Sequence, residues 1–277
     1  MDVSDLPPDS VQWWTVVRRQ LQFYLRTWRF VGLLLFILAV SFATLGFQIA
    51  YHNSGASGVG NYLYGAVESV ATFGVIIGAF MGGDAIAMDF GTGTGYYVLV
   101  LPVRRIVLLL GRYTAAFLAT FALALVYYAM VLTGATWFYG ISSIPWSDLV
   151  ASLGITALFV LAVLAAAFLF SAFFRSPAIS IVVTILILFL AFDIVDGVLS
   201  VTSIEPWFSL LYAGQASALV FQGQPHLTVT HLMAGGRSIT ISAWTPYIWE
   251  GIAIMLGYIV VCLALSAVIY EAKESKG

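Results

Sequence analysis

Apolar residues fill the chain in six long runs, at 30–50, 64–81, 106–138, 149–174, 178–199 and 246–270, separated by polar or glycine-rich passages. A helix needs about 20 apolar residues to cross the hydrocarbon of a bilayer, so the pattern predicts six transmembrane helices. The run at 106–138 is longer than required and is expected to tilt or to extend beyond the bilayer. Ahead of the first run, Trp13, Val17, Leu21, Tyr24 and Trp28 recur at helical spacing, while Arg18, Gln22, Arg26 and Arg29 fall on another face. This reads as a helix lying in the membrane interface with its basic face toward lipid phosphates, or more simply as a basic lead-in to the first span. Asp9 is expected as its N-cap, with Gln12 in capping-box spacing.

Two passages between runs carry further pattern. At 205–220 an apolar stretch is interrupted by Gly214 and Gln215, which suits a short re-entrant or interfacial helix. Residues 227–233 and 237–243 alternate on either side of Ala234-Gly235-Gly236, which suggests a hairpin. The passage at 82–105 is polar and glycine-rich. Thr92 or Thr94 can cap a helix of about two turns, and Pro102 disfavours helix at the residue before it. Such a helix would lie parallel to the membrane and offer Tyr96, Tyr97 and Leu99 to a partner.

Composition agrees with the runs. Of 277 residues, 61% are hydrophobic and 9% charged, against about 25% charged in soluble domains. The expected fold is therefore an all-α integral membrane protein forming a single transmembrane domain over 1–277. Within it, 1–29 is a tail with an interfacial helix, 82–105 a cytoplasmic loop and 200–245 an extracellular segment. A removable signal peptide is not expected, because the first apolar run follows a long polar segment and exceeds an h-region. The single cysteine, Cys262, excludes an intrachain disulfide.

The basic residues decide orientation. With six spans, Arg18, Arg19, Arg26, Arg29, Arg104, Arg105, Arg112, Arg175, Lys273 and Lys276 share one side, leaving Arg237 on the other. Five or seven spans would scatter them. The positive-inside rule then places both termini in the cytoplasm, as a multi-pass protein of the plasma membrane. The outer side collects His52, His226 and His231, with Glu68, Asp148, Glu205 and Glu250 near span ends. Trp137, Trp146, Trp207, Trp244 and Trp249 suit an outer aromatic belt.

Chemistry-bearing motifs are few. The run Gly91-Thr92-Gly93-Thr94-Gly95 is not a phosphate cradle, because the only lysines are Lys273 and Lys276 and no Gly-Lys-Ser/Thr exists. If ATP drives this protein, the ATPase is another polypeptide. Asp84 after Gly82-Gly83 and Asp193 come nearest to an intramembrane aspartyl protease. Met81, however, stands where the first glycine of that motif belongs, and the two acids end at opposite faces, too far apart to share a proton. His-Glu-x-x-His and Gly-x-Ser-x-Gly are absent, so no catalytic residue is expected. Asp193 and Asp196 lie on one helical face near the outer boundary, either solvated or lining a substrate exit. The histidines show no recognisable metal-ligand spacing, and no metal site or nucleic-acid partner is expected.

Three passages resemble the membrane subunits of ABC exporters of the type-2 permease superfamily. In that family the first cytoplasmic loop reads acid, Gly-Thr, an apolar stretch, Pro, basic residues and Leu-Leu-Gly-Lys. Here the corresponding residues are Asp89, Gly91-Thr92, 98–101, Pro102, Arg104-Arg105 and Leu109-Leu110-Gly111-Arg112. Phe173-Phe174-Arg175-Ser176 is similar to the turn before the fifth span, and Val268-Ile269-Tyr270-Glu271-Ala272-Lys273 to the family's ending. Asp89 stands where Glu is common, the loop carries an additional Gly-Thr-Gly, and the C-terminal Arg-Arg-Asp is missing. The motifs cover some thirty residues; topology extends the likeness to most of the chain.

The resemblance implies a permease of an ATP-driven exporter, without cofactor on this chain, whose partner ATPase subunits carry ATP and Mg. It implies that Asp89, Gly91, Thr92, Tyr96, Leu99, Pro102, Arg104 and Arg105 couple to that ATPase through a docking helix. A second permease copy, identical or similar, would complete a pathway faced by the second and fifth spans, with Glu68, Phe73, Phe80, Asp193 and Asp196 as candidate lining. Membrane lipid surrounds the chain, and the 200–245 segment is open to an extracellular partner. An amphiphilic, peptide-like or lipid-like cargo suits such walls, although apolar walls suit lipid contact equally. A passive channel or a scaffold subunit is the alternative, with an intramembrane hydrolase behind both.

Overall fold

The computed structural model describes residues 8–52, 58–91, 104–223, 226–234 and 237–274. The chain is mostly helical. Helix α1 spans Asp9–Arg26, α2 Trp28–His52, α3 Val59–Gly82, α4 Ala87–Gly91, α5 Arg105–Tyr139 and α6 Trp146–Phe173. Helix α7 (Pro177–Ile185) runs through a π-helical turn, Leu186–Ala191, into α8 (Phe192–Thr202). The short α9 (Leu210–Gly214) and α10 (Ala216–Leu219) precede strands β1 (Leu227–Ala234) and β2 (Arg237–Trp244), and α11 (Ile248–Glu274) follows. Among the described residues, six helical stretches are long and apolar enough to cross a membrane, as the sequence predicts: 28–49, 59–89, 105–139, 146–173, 177–202 and 248–272.

Helix α6 is the centre. Its segment 162–168 is fully enclosed, and it packs against α3, α5, α7 and α11. Lipid supplies no hydrophobic drive between helices, so close approach of small residues decides such contacts. Gly74, Gly78 and Gly82 form one stripe of α3 and lie against Phe159, Val163 and Ala167 of α6. A Cβ at Gly78 would sit 2.5 Å from Val163 Cγ1. The seam exists because those three positions lack a side chain.

Tyrosine hydroxyls bolt neighbouring helices through main-chain carbonyls. Tyr113 donates to Leu161 O at 2.7 Å, Tyr127 to Ala66 O at 2.6 Å, and Tyr24 to Met81 O at 3.0 Å. In an apolar interior each bond satisfies a polar group that would otherwise be costly.

Among the described residues the one sheet is an antiparallel hairpin, β1 with β2, pairing Leu227 with Trp244 and Ala234 with Arg237. The alternation in sequence predicts it, and it corrects a strictly all-α description. The hairpin lies over α8, where Ser203 and Ser242 hydroxyls meet at 2.8 Å. Where a short re-entrant or interfacial helix is expected at 205–220, two short helices, α9 and α10, meet at Gln215; both are buried and contact α3, α6 and α11.

Helix α1 departs from expectation in two details. Pro8, not Asp9, is the N-cap, with no side-chain cap bond; Asp9 instead accepts from Arg104 Nη1 at 3.0 Å. The helix also breaks at Thr27, whose backbone is extended (φ −85°, ψ 137°). Trp28 therefore starts α2 and is 86% exposed, off the apolar face it was expected to join. Val17 and Tyr24 of that face are buried, and α1 packs on α5, with Arg18, Arg19, Gln22 and Arg26 left exposed.

Candidate functional site

The passage beginning at Gly82 is expected as a loop, yet its first part is enclosed. Residues 81–87 are all buried. Gly82 abuts Leu164, Ala167 and Phe168, and a Cβ at Gly83 would meet Ala79 O at 2.5 Å and Ile181 at 3.1 Å. These glycines permit close contact rather than break the chain at a surface. After a turn, the chain continues as α4, whose start is held by one hydroxyl: Ser171 Oγ of α6 accepts from Ile86 N at 2.9 Å and Ala87 N at 3.0 Å.

Two carboxylates are buried here, one in the turn and one in α4, and each meets an arginine. Asp84, with its side chain 5% exposed, pairs with Arg29 Nη1 of α2. Asp89, 7% exposed, takes Arg112 of α5 in two-point contact, Nη1 to Oδ2 at 2.6 Å and Nη2 to Oδ1 at 3.0 Å. Arg112 also donates to Ala85 O at 2.8 Å, and Tyr270 of α11 donates to Asp89 Oδ2 at 3.2 Å. Four segments thus converge on one ion pair: α4, its preceding turn, the start of α5 and the end of α11. A planar guanidinium in two-point contact fixes direction as well as distance. Charges at this depth persist only when paired. Nearby, burial, reinforced by the Asp84 carboxylate, pushes the Tyr24 hydroxyl above its usual range, which keeps it a neutral donor.

Of the residues expected to couple, Asp89 is therefore engaged inside the subunit, Gly91 ends α4, and Arg104 caps α5 while pairing with Asp9 at an exposed position. Arg105 is the first residue of α5 and half-buried. Thr92, Tyr96, Leu99 and Pro102, and with them the two-turn helix, lie outside the described residues. Among the candidate pathway residues, Glu68 is exposed on α3, in a stripe with Asn61, Gly65 and Thr72. Phe73 is not on that stripe: it is buried against Tyr127, ring centres 4.6 Å apart. Phe80 is half-buried beside Arg29 and Asp84. Asp193 is exposed on α8, whereas Asp196 accepts from Ser209 Oγ at 2.6 Å.

Sequence reasoning missed Arg29, Ser171 and the tie of Arg112 and Tyr270 to Asp89. The pairs span 55, 85, 23 and 181 residues, beyond any local spacing rule. The usable signal was narrower: an acid within a stretch hydrophobic enough to be buried requires a partner, and few arginines were available.

Residues 26–268 match the profile of a family described as ABC-2 family transporter protein. No curated protein matches the chain.

Proposed function

The chain belongs to the ABC-2 transporter family and is an ABC transporter permease, and from that premise we propose that it works as an exporter subunit driven by separate ATPase subunits. ATP and Mg belong to those partners; this chain supplies the membrane path. The ATPase docks on residues 92–105, and its movement enters the spans through α4.

The observation that carries this reading is the convergence on Asp89. A push on the chain just after α4 is passed through the Asp89–Arg112–Tyr270 contacts to α5 and α11 together, so that packed helices move as bodies rather than bend locally. Asp84 and Arg29 extend the same connection to α2. The arginine-rich end that carries these contacts is the cytoplasmic one by the charge rule.

A second copy, of this chain or a similar one, covers the stripe of α3 that includes Glu68. That glutamate lies nine residues into α3, about 14 Å along its axis and so deeper than the span end expected from sequence, at a depth where an ionisable group faces water or protein rather than hydrocarbon. The pathway then runs between two such stripes, with Asp193 and Asp196 of α8 near its outer end. A narrow polar strip on otherwise apolar walls suits an amphiphilic, peptide-like or lipid-like cargo. The 200–245 segment is open to an extracellular partner.

Co-isolation in mild detergent tests the assignment. A nucleotide-hydrolysing subunit should accompany the chain, and the double variant Pro102→Leu, Arg105→Glu should lose that subunit or its coupling while still inserting into the membrane. Unchanged coupling in the double variant would contradict the docking site, and full transport without any ATPase would favour a passive channel.

A further inference from the structure

At the opposite end of α11 from Tyr270, three metal-ligating side chains from separate segments come together. Glu205 lies between α8 and α9, His226 just ahead of β1, and Glu250 in the first turn of α11. Their ligand atoms all lie within 4.8 Å of one another, and each residue is half-buried.

The histidine is held as a ligand would be. His226 Nδ1 lies 2.7 Å from Thr245 O; a carbonyl only accepts, so Nδ1 carries a proton and Nε2 is the nitrogen turned toward the carboxylates. The ring is fixed between Tyr247, stacked at 4.4 Å, and Trp244, edge-on at 5.3 Å. An outer bond of this kind selects the tautomer and aim of metal-bound imidazoles.

The carboxylates are braced as well. Tyr212 Oη donates to Glu205 Oε1 at 2.6 Å, leaving Oε2 3.6 Å from His226 Nε2. Tyr247 N donates to Glu250 Oε2 at 3.3 Å. Nε2 and Oε2 therefore face each other beside a second carboxylate, at a spacing no direct hydrogen bond fills. With one imidazole against two carboxylates, negative charge is in excess and a cation between them is favoured.

We propose that Glu205, His226 and Glu250 bind one divalent transition-metal ion, zinc by the preference of a mixed imidazole and carboxylate set. Zinc takes His nitrogen and carboxylate oxygen at about 2.0–2.2 Å in a tetrahedron, which sets neighbouring ligand atoms roughly 3.4 Å apart. The 3.6 Å between Glu205 Oε2 and His226 Nε2 is close to that spacing. Three protein ligands leave the fourth position to water. The ion staples the link after α8, the hairpin and the start of α11 into one unit, and a hard, hydrated ion such as Mg would not select an imidazole.

The test uses the full-length chain purified in detergent and stripped with chelator, titrated calorimetrically with zinc chloride at neutral pH. One saturable zinc per chain is expected, with no matching response to magnesium. His226→Ala, Glu205→Gln and Glu250→Gln should each weaken binding by at least about 100-fold, the upper range for losing even an outer-shell partner. Asp148→Asn, on the same side of the membrane, should bind as the parent does. The two Gln variants keep side-chain shape, and equal melting temperatures in chelator separate lost ligation from lost folding. Absence of saturable binding, or unchanged affinity in both Gln variants, would overturn the site. So would stabilisation by acid alone with no zinc response, since the group would then hold a proton rather than a metal.

Discussion

The two ends of α11 gather the same kinds of side chain with opposite outcomes. Near Tyr270, one buried carboxylate meets one guanidinium and a phenol, both partly buried, and the charges cancel. Near Glu250, about 30 Å away along the helix axis, two carboxylates meet a single imidazole whose outward nitrogen is already used. The first group completes itself from within the chain and acts as a fixed joint. The second is complete only with something added. A charge cluster therefore says little by its membership; whether its charges are matched decides between a structural tie and a binding site.

Breaking the matched end should have the largest effect. Arg112→Ala leaves the Asp89 carboxylate buried without its counter-charge, a loss of about 3–5 kcal/mol in comparable cases, read as a large fall in melting temperature in detergent. Replacing both partners, Asp89→Leu with Arg112→Leu, should recover most of that stability yet leave ATPase coupling impaired. Recovery of both would mean the pair is structural only.

Next in size comes the apolar seam that carries both ends. Gly78→Val drives a side chain into Val163 and should cost about 1–3 kcal/mol by overpacking, whereas Gly32→Ala, with nothing within 4 Å, should change the melting temperature little. Equal effects at the two positions would place the tight α3–α6 contact elsewhere.

The unmatched end should respond least, and without the penalty seen at Arg112. In chelator, Glu250→Gln removes one of two neighbouring like charges while keeping an oxygen for Tyr247 N. Stability should hold within about 0.5 kcal/mol, as at ordinary surface sites, or rise. A loss comparable to that of Arg112→Ala would erase the distinction between the two ends.

Much of this architecture is legible before any coordinates. The spans follow from length and hydropathy, and the hairpin from the alternation around Ala234-Gly235-Gly236. Glycine carried an ambiguity that pattern alone leaves open. Gly82 and Gly83 read as the opening of a loop because glycine and polarity usually mark turns, yet they belong to a close helix contact. The four-residue spacing of Gly82 with Gly74 and Gly78 was the available sign. Trp28 was misplaced because periodicity continued across Thr27, where the backbone turns. Partners such as Arg29 for Asp84, or Glu205 and Glu250 for His226, come from segments far apart in sequence; only folding brings them together, so no spacing rule reaches them.

The central claim is that a separate motor pushes this chain at the segment just after α4. The only native thiol, Cys262, is buried, so Leu99→Cys introduces a single accessible one. In the complex isolated with its ATPase, a short bifunctional thiol reagent at that position should cross-link to the ATPase, and the link should block nucleotide-driven transport. Labelling of Leu99→Cys by an impermeant maleimide from outside intact cells, or an intact complex in which that position never cross-links to the ATPase, would contradict the account.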